Sequence, residues 1–433
     1  MTERSLTVLF MPESAYGPTN NCIGIGNELL KRGHRVVFAA EASWAGKLNA
    51  LGFEEDLVGL TAPPEGESLE QDAGAFWKEY IQAIAPEFSK STSEQLETVT
   101  RPIWEELVAG AKYCEPQLAE IIARAKPDVI IEDNVLTFPA LLNAGVPFVR
   151  IVSCNPLEIP GPDIAPVFSG LAEDDREGWA LFRAEYERTH RPLWSEFNEW
   201  VQKQGAPPLP DMEFIHTGEL NMYVYPEALD YTNERPLDES WLRLDSSVRR
   251  TDVESRVPEE FFDGTKPLIY FSLGSLGSAD VGLMRRVIGV LADTDYRVIV
   301  SKGPLHTEIE LADNMWGAEF LPQTTIMPKV DLVITHGGNN TVTEAMHFGK
   351  PMVLLPLFWD QYDNAQRVHE RGFGRRLDTY GFTPEELRAT VAELLSDSEL
   401  LAKLDAAGTN IRSRNGLERA AERIEELGRA KNA

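Results

Sequence analysis

Residues 331–367 read DLVITHGGNNTVTEAMHFGKPMVLLPLFWDQYDNAQR, and this stretch decides the fold. A short apolar run at 332–334 breaks at a His-Gly-Gly turn, and helical spacing then continues until Gly349, with Pro351 close behind. A second apolar run at 352–355 predicts another strand. The pattern predicts a strand, a glycine turn, a helix and a second strand of an open parallel sheet. In such a sheet, a ligand binds at the carboxyl ends of the strands.

The polar residues of this stretch suit a nucleotide sugar. The backbone N–H groups of residues 339–341 lie at the positive end of the predicted helix, where a phosphate or diphosphate binds readily. His336 can add a hydrogen-bond donor or a positive charge beside it. Glu344, one helical turn further, can accept hydrogen bonds from ribose hydroxyls, while Asp360 and Gln361 offer the acceptors and donors that a hexose needs. We therefore expect a nucleotide-sugar site here.

The run from His336 to Glu344, followed by Pro356, Asp360 and Gln361, resembles the donor signature of the UDP-glycosyltransferases, the inverting enzymes of glycosyltransferase family 1. The resemblance implies the GT-B fold, in which two Rossmann-like α/β domains face each other across an interdomain cleft. The alternative is an ordinary Rossmann-like strand, turn and helix with polar loop residues, which rarely produces so long a match.

Two further segments extend the resemblance across the second half of the chain. The sequence at 320–323, FLPQ, is similar to the family's Trp-x-Pro-Gln, whose ring stacks on uracil, and a Gly-Ser turn after an earlier strand is a common phosphate contact. Phenylalanine in place of tryptophan keeps a stacking face but loses area. The implied donor site consists of Ser275, Phe320, Gln323, His336, Gly338, Asn339, Asn340, Thr341, Glu344, Asp360 and Gln361.

The first loop of the chain departs from the family pattern. An apolar strand at 6–11 precedes a polar loop predicted over residues 12–21, and a helix follows. In the family this loop contains a Gly-His pair whose histidine deprotonates the acceptor. Here Gly17 is followed by Pro18, which cannot take a proton.

Two carboxylates are candidates for the missing base. The resemblance implies that Asp133, after the strand predicted at 128–131, would orient the histidine; without it, Asp133 could act on the acceptor directly or through a water. Asp133 could equally be a helix N-cap. Glu13, in the first loop, is a further candidate. A carboxylate with a pKa of about 4 is a weak base, so burial or an acidic acceptor such as a phenol would help.

Length and patterning predict a two-domain enzyme. A chain of 433 residues can form two α/β domains with separate cores. We place an acceptor-binding domain at 1–225, a linker at 226–260 and a donor-binding domain at 261–410. Residues 411–433 are expected to form a C-terminal helix that crosses back to the first domain. Helically spaced Phe76, Trp77 and Tyr80 are expected to be core residues.

Composition excludes several classes of partner. A net charge of −28, from 41 basic and 69 acidic residues, argues against nucleic-acid binding. Three widely spaced cysteines, no recognisable signal peptide and no apolar run long enough to span a bilayer predict a cytoplasmic protein without a membrane anchor. The Asp-Thr-Asp at 293–295 is interpreted as a turn. We expect no metal and no cofactor apart from the UDP-sugar co-substrate, because a helix N-terminus can stabilise the diphosphate.

The resulting hypothesis is an inverting, metal-independent UDP-glycosyltransferase. It would move a sugar, glucose by resemblance, to a small hydrophobic or phenolic acceptor. Pro18 motivates the alternative of a nucleotide-sugar-binding protein that has lost turnover. A UDP-sugar epimerase on the same fold is a further alternative, against which the Asp360-Gln361 signature argues.

Overall fold

The computed structural model describes residues 4–61, 83–248 and 256–430, and its first half contains a parallel sheet of seven strands within the described residues. Their order across the sheet is β3-β2-β1-β4-β5-β6-β7. The strands are β1 (Thr7–Pro12), β2 (Arg35–Phe38), β3 (Glu54–Glu55), β4 (Val129–Asp133), β5 (Phe148–Val152), β6 (Leu220–Val224) and β7 (Trp241–Leu244).

The second half contains a parallel sheet of six strands in the order β10-β9-β8-β11-β12-β13. This is the strand order of a dinucleotide-binding Rossmann sheet. The strands are β8 (Leu268–Ser272), β9 (Arg297–Ser301), β10 (Met315–Ala318), β11 (Leu332–Thr335), β12 (Met352–Leu354) and β13 (Gly374–Arg376).

Helices cover both sheets. In the first half they are α1 (Tyr16–Lys31), α2 (Thr92–Gln95), α3 (Arg101–Ala125), α4 (Pro139–Leu142) and α5 (Arg176–Lys203). In the second half they are α6 (Gly274–Gly277), α7 (Val281–Leu291), α8 (Gln323–Ile326), α9 (Asn339–His347), α10 (Gln361–Glu370), α11 (Pro384–Ser396), α12 (Ser398–Ser413) and α13 (Gly416–Ala430).

The central strands are buried on both faces, because helices pack on each side of the sheet. Every residue of β4, β5 and β8 is buried, which explains why their apolar residues follow one another rather than alternate with polar ones; the charged exceptions are Glu132 and Asp133 in β4 and Arg150 in β5. One face of the first sheet packs against α1 and α13, and the other packs against α3 and α5. The prediction of two Rossmann-like α/β domains is confirmed.

Local signals also place helix ends correctly. The Thr383 side chain accepts a hydrogen bond from the backbone N–H of Glu386, and the Glu386 side chain accepts one from the backbone of Thr383. This capping box, with Pro384 as the first helical residue, starts α11. The Asp-Thr-Asp at 293–295 lies in the turn between α7 and β9, as interpreted from sequence.

The structure differs from the predicted boundaries in two places. The loop predicted over residues 12–21 is shorter, because α1 begins at Tyr16 and Pro18 lies in its first turn. A proline is tolerated there since first-turn N–H groups have no intrahelical partner. The linker predicted at 226–260 contains β7, the last strand of the first sheet, and its residues 249–255 lie outside the described residues.

The C-terminal helix α13 returns to the first domain. Its Glu425 contacts the His34 ring, with 2.6 Å between Oε1 and Nε2, and accepts a hydrogen bond from Arg32. The predicted core positions Phe76, Trp77 and Tyr80 lie outside the described residues. No helix in the described ranges is long and apolar enough to cross a membrane.

Candidate active site

Each sheet reverses its strand order at one point, and the predicted site residues lie at these two points. In the first sheet the reversal falls between β1 and β4, where Glu13 follows β1 and Asp133 ends β4. In the second sheet it falls between β8 and β11, where Ser275 and His336 follow the two strands. Ligands of open α/β sheets bind at such switch points.

The two switch points contact each other through the first turns of α1 and α9. The Asn340 side-chain amide donates a 2.9 Å hydrogen bond to the carbonyl of Gly17. Its side-chain oxygen accepts a 3.0 Å hydrogen bond from the amide of Asn21. The two sites therefore face the same interdomain cleft, at a separation that one small substrate can bridge.

The Asn339 side chain contacts the first domain, which leaves the backbone N–H for the predicted role of Asn339 in donor binding. Its side chain is buried and donates hydrogen bonds to the carbonyls of Ser153, at 2.8 Å, and Val224, at 3.0 Å. Both carbonyls belong to the first domain. The side-chain amides of Asn339 and Asn340 hold the domains together. Their backbone N–H groups therefore remain for a donor.

The turn before α9 exposes the start of the helix. Gly337 has φ +87°, a left-handed conformation that only glycine adopts without strain, and Gly338 precedes the first helical residue without a side-chain cap. The N–H groups at the start of a helix have no intrahelical partner. The start of α9 therefore has the geometry that the predicted anion site at residues 339–341 requires. Half-buried Ser275 lies in the facing turn after β8.

Two glycines enclose the His336 ring. A Cβ atom on Gly274 would lie 2.7 Å from its Cε1, and a Cβ on Gly338 would lie 2.5 Å from its Nε2. Burial lowers the pKa of His336 to about 4. The imidazole is thus neutral near pH 7, so of the two predicted roles the structure favours a hydrogen-bond donor over a positive charge.

Three predicted donor residues meet on α8 and α9. The Gln323 side-chain amide donates hydrogen bonds to the carboxylate of Glu344, at 2.6 Å, and to the hydroxyl of Thr341, at 3.3 Å. Glu344 is buried. The arrangement fixes a carboxylate one helical turn beyond the start of α9, the position predicted for an acceptor of hydrogen bonds from ribose hydroxyls.

Phe320 lies at the mouth of the cleft. It follows β10, its side chain is 51% exposed, and its ring centroid is 6.1 Å from that of Tyr16 in the other domain. A large exposed ring at this place is free to stack on a ligand. Tyr16 carries no sequence signal that would have marked it.

Asp360 and Gln361 are brought together, but both side chains have protein partners. The Asp360 carboxylate accepts hydrogen bonds from the backbone N–H of Asn155, at 2.8 Å, and from the Asn364 amide, at 3.3 Å. Burial raises the pKa of Asp360 to about 7. The Gln361 side-chain oxygen accepts from the backbone of Leu357, at 3.0 Å. The pair therefore shapes its own loop and the domain interface.

Asp133 is buried at the end of β4. Its carboxylate accepts a 2.6 Å hydrogen bond from the hydroxyl of Ser153, and the thiol of Cys22 lies 3.7 Å away. Burial raises the pKa of Asp133 well above its usual value. The N-cap alternative is excluded because α4 begins only at Pro139.

Glu13 lies beside Asp133 and is half-buried. Its backbone N–H donates a 2.8 Å hydrogen bond to the Asp133 carbonyl, and its carboxylate accepts hydrogen bonds from Ser14 and Ala15, each at 2.8 Å. Burial raises the pKa of Glu13. Pro18 lies in the first turn of α1, at the position where the family has histidine, so no basic side chain is present there.

Sequence reasoning missed three residues of the site. Asn21 and Ser153 link Asp133 to the donor helix, and the backbone of Asn155 binds Asp360. Ser153 follows directly after β5, the neighbour of β4, so its place at a strand end beside the switch point was a usable signal. Asn21 lies inside a helix, and its position in the sequence gave no such signal.

Across residues 4–61, 83–248 and 256–430, no group of three or more His, Cys, Asp or Glu side chains is arranged to hold a metal ion.

Comparison with protein families supports the interpretation of the second half of the chain. Residues 249–405 match the family model described as UDP-glucoronosyl and UDP-glucosyl transferase. These residues contain the whole of the predicted donor site.

Relatives match over nearly the full chain. The NDP-glycosyltransferase YjiC of Bacillus subtilis is 27% identical over 414 residues, covering 95% of this chain and 94% of the relative. The oleandomycin glycosyltransferase of Streptomyces antibioticus is 25% identical over 426 residues, covering 95% of this chain and 88% of the relative.

Solved structures show the same fold. The glycotransferase of kitacinnamycin superposes with a TM-score of 0.72 at 22% identity, covering 98% of this chain and 100% of that one. The glycosyltransferase VinC, solved in complex with DTDP, superposes with a TM-score of 0.66 at 18% identity, again covering 98% and 100%. The GT-B fold is thereby confirmed.

Proposed function

We propose that this chain, a glycosyltransferase of the UDP-glycosyltransferase family, moves a hexose from a UDP-sugar to a small hydrophobic acceptor by direct displacement. The acceptor nucleophile attacks the anomeric carbon from the face opposite the diphosphate. The new bond forms while the bond from that carbon to the diphosphate oxygen breaks, so the configuration inverts. Glucose is the proposed sugar and phenols are the favoured acceptors.

The donor half of the proposal rests on α9 and its neighbours. The helix N-terminus receives the diphosphate, and neutral His336 and Ser275 donate hydrogen bonds to it as negative charge develops on the leaving group. Phe320 stacks on the base, and Glu344 accepts from the ribose. Asp360 and Gln361 hold the hexose, after the cleft opens enough for sugar hydroxyls to replace part of their present hydrogen bonding. This arrangement needs no metal ion.

The acceptor half of the proposal assigns the base to Asp133, acting through Ser153. The Ser153 hydroxyl already donates to Asp133, so an acceptor hydroxyl that donates to Ser153 completes a route for its proton. Because the pKa of Asp133 is raised, its ionised form has a higher proton affinity than an exposed carboxylate. Glu13 is the second candidate because it is less buried and its pKa is also raised.

One observation carries the proposal. Asn340, in the first turn of the donor helix, is hydrogen-bonded to both Gly17 and Asn21 at the acceptor switch point. A helix N-terminus suited to a diphosphate therefore lies next to a buried carboxylate suited to activating a nucleophile. A displacement between two substrates requires that proximity.

The acceptor class is supported by the apolar surroundings and by the relatives. Stacked rings of Trp104 and Phe214, with centroids 4.2 Å apart, lie on the α3 side of the first sheet, and Trp359 contacts Trp104 from the second domain. Two relatives are named oleandomycin glycosyltransferase and zeaxanthin glucosyltransferase, which supports a small-molecule acceptor.

The test is to incubate the protein with UDP-glucose and a panel of phenols and alcohols, and to measure UDP release and the glycoside product by NMR. We expect release only with acceptor present, product of inverted anomeric configuration, and the same rate with and without EDTA. A converted sugar in the absence of acceptor would instead indicate an epimerase. DTDP-glucose belongs in the panel because VinC, a structural neighbour, was solved in complex with DTDP.

A nucleotide-sugar-binding protein without turnover is the second candidate. Pro18 favours it, and so does the 2% exposure of Asp133, because an acceptor reaches that carboxylate only through Ser153. UDP binding without UDP release across the whole panel would establish this candidate and remove the transferase proposal.

A further inference from the structure

Two exposed aromatic rings face each other across the mouth of the cleft. Tyr16, the first residue of α1, is 43% exposed, and Phe320 of the second domain is 51% exposed. Their centroids lie 6.1 Å apart and their planes are inclined by 35°. Large aromatic side chains are normally buried, so two exposed rings that face each other at a domain interface require an explanation.

The Tyr16 ring is held in place by its own domain. Trp44 packs on it with centroids 5.2 Å apart at 59°, and Trp44 is itself fixed by a 3.1 Å hydrogen bond from its ring N–H to the carbonyl of Ser14. The ammonium of Lys47 lies 5.7 Å from the Tyr16 centroid, within cation–π distance. The ring is thus preorganised toward Phe320.

Tyr16 is also tied to the donor helix. Its neighbour Gly17 accepts the hydrogen bond from Asn340, in the first turn of α9. Any movement of α9 relative to α1 therefore changes the gap between Tyr16 and Phe320. The distance between the two rings therefore depends on the same domain interface that the diphosphate would occupy.

We propose that Tyr16 forms the second face of the nucleobase site, so that the pyrimidine of the donor lies between Phe320 and Tyr16. The inference rests on the proposed function, which places the base on Phe320. It adds a residue of the acceptor domain to donor recognition. Tyr16 is a donor-binding residue that no motif of this sequence marks.

The dimensions of the gap agree with this role. Atoms of stacked rings lie about 3.5 Å apart, so a base between two rings needs about 7 Å between them. The two ring centroids now lie 6.1 Å apart, with the rings in direct contact. If the domains separate by roughly 1 Å, a base fits between the rings. A rigid-body movement of that size is small for two domains on either side of a cleft.

The second ring has two physical consequences. It compensates for the stacking area that phenylalanine loses relative to tryptophan at position 320. It also makes the base a bridge between domains, because one stacking partner lies on each side of the cleft. Donor binding then draws the domains together before the acceptor reacts.

The test is to measure UDP affinity by isothermal titration calorimetry for the wild type, Tyr16→Phe, Tyr16→Leu and Tyr16→Ala. Tyr113→Ala is the matched control, because Tyr113 is 41% exposed on α3, a helix that contributes nothing to the proposed donor site. Stacking of one base on one ring contributes enough that its loss raises Kd about fivefold or more. We expect that rise for leucine and alanine, and near wild-type Kd for phenylalanine and for Tyr113→Ala.

The outcomes separate the inference from the proposed function. If the wild type does not bind UDP, the proposed function fails. If the wild type binds UDP and Tyr16→Leu and Tyr16→Ala bind it equally tightly, the inference is overturned while the function stands. An equal loss in Tyr113→Ala would also overturn it, since the effect would not depend on the cleft. Thermal unfolding of each variant verifies that it is folded, and leucine preserves bulk if alanine does not fold.

Discussion

The hydroxyl of Ser153 donates a 2.6 Å hydrogen bond to the carboxylate of Asp133, and the amide of Asn21 donates a 2.7 Å hydrogen bond to the same hydroxyl. Asn21 in turn reaches Asn340 at the start of the donor helix. A continuous series of hydrogen bonds therefore joins the buried carboxylate at one switch point to the start of α9 at the other. Asp133 is too buried to reach the cleft itself, and this series of hydrogen bonds connects its carboxylate to the cleft.

Asp133→Asn is expected to lower kcat by about 100-fold or more with an alcohol acceptor, while UDP affinity stays at the wild-type value. The asparagine keeps the shape but cannot take a proton. Steady-state kinetics across phenols of decreasing pKa provide the decisive measurement. The loss should shrink as the acceptor becomes more acidic, because an acidic phenol needs less help from a base.

Glu13→Gln is the matched control for that experiment. It removes the neighbouring carboxylate, whose pKa is also raised, without changing the Ser153 hydrogen bond. Full activity of Asp133→Asn together with a large loss in Glu13→Gln would transfer the role of base to Glu13. An equal loss for every acceptor in Asp133→Asn would indicate a structural role instead.

The donor turn could be predicted because its determinants are contiguous. The strand, the glycines and the helix start all lie between residues 331 and 349, and local rules govern each of them. The side-chain roles of Asn339 and Asn340 could not be predicted in the same way. Their partners, Gly17, Asn21, Ser153 and Val224, are more than 100 residues away in sequence, so only the packing of two domains brings them together.

The first loop shows a second limit. The polar residues after β1 suggested a loop to residue 21, but α1 begins at Tyr16 because its apolar face packs under the sheet and tertiary packing outweighs local propensity. That shift places Tyr16 at the cleft and Pro18 in the first helical turn. β7, a strand of four residues in a charged stretch, was likewise too short for its pattern to be recognised.

Asn339→Ala is expected to lower the free energy of unfolding by about 1 to 3 kcal/mol, because two buried carbonyls of the first domain lose their donor. Urea denaturation followed by circular dichroism measures the change. Asn410→Ala, at an exposed position on α12, is the control and should change stability little. Equal stability of Asn339→Ala and the wild type would mean that water replaces the amide at this interface.

Asp360 should make stability depend on pH. Burial keeps its carboxyl protonated to about pH 7 in the folded protein, whereas the unfolded chain releases the proton near pH 4. Between these values the folded state binds more protons, so its contribution is complete at low pH and is lost as pH rises through 7. Relative to Asp360→Asn, the wild type should lose about 1.4 kcal/mol of unfolding free energy per pH unit between pH 5 and 7.

The measurement is denaturant unfolding of both proteins at several pH values, with Asp295→Asn as a control for removing a charge from an exposed turn. Parallel curves for the wild type and Asp360→Asn would show that Asp360 is already ionised in the folded protein. The hydrogen bond from the backbone of Asn155 would then outweigh the cost of burial.

Gly338→Ala is expected to lower kcat/KM for the UDP-sugar by about 10- to 100-fold, because the new Cβ would lie 2.5 Å from Nε2 of His336 and must displace the ring. Gly289→Ala is the control: this glycine lies exposed within α7, and a Cβ there meets no atom within 4 Å. Alanine at 289 should leave kinetics unchanged and stabilise the helix by up to about 1 kcal/mol. Steady-state kinetics with varied UDP-sugar and thermal unfolding measure both effects. Unchanged kcat/KM in a folded Gly338→Ala variant would show that the position of His336 does not matter for the diphosphate, and would remove the imidazole from the proposed donor site.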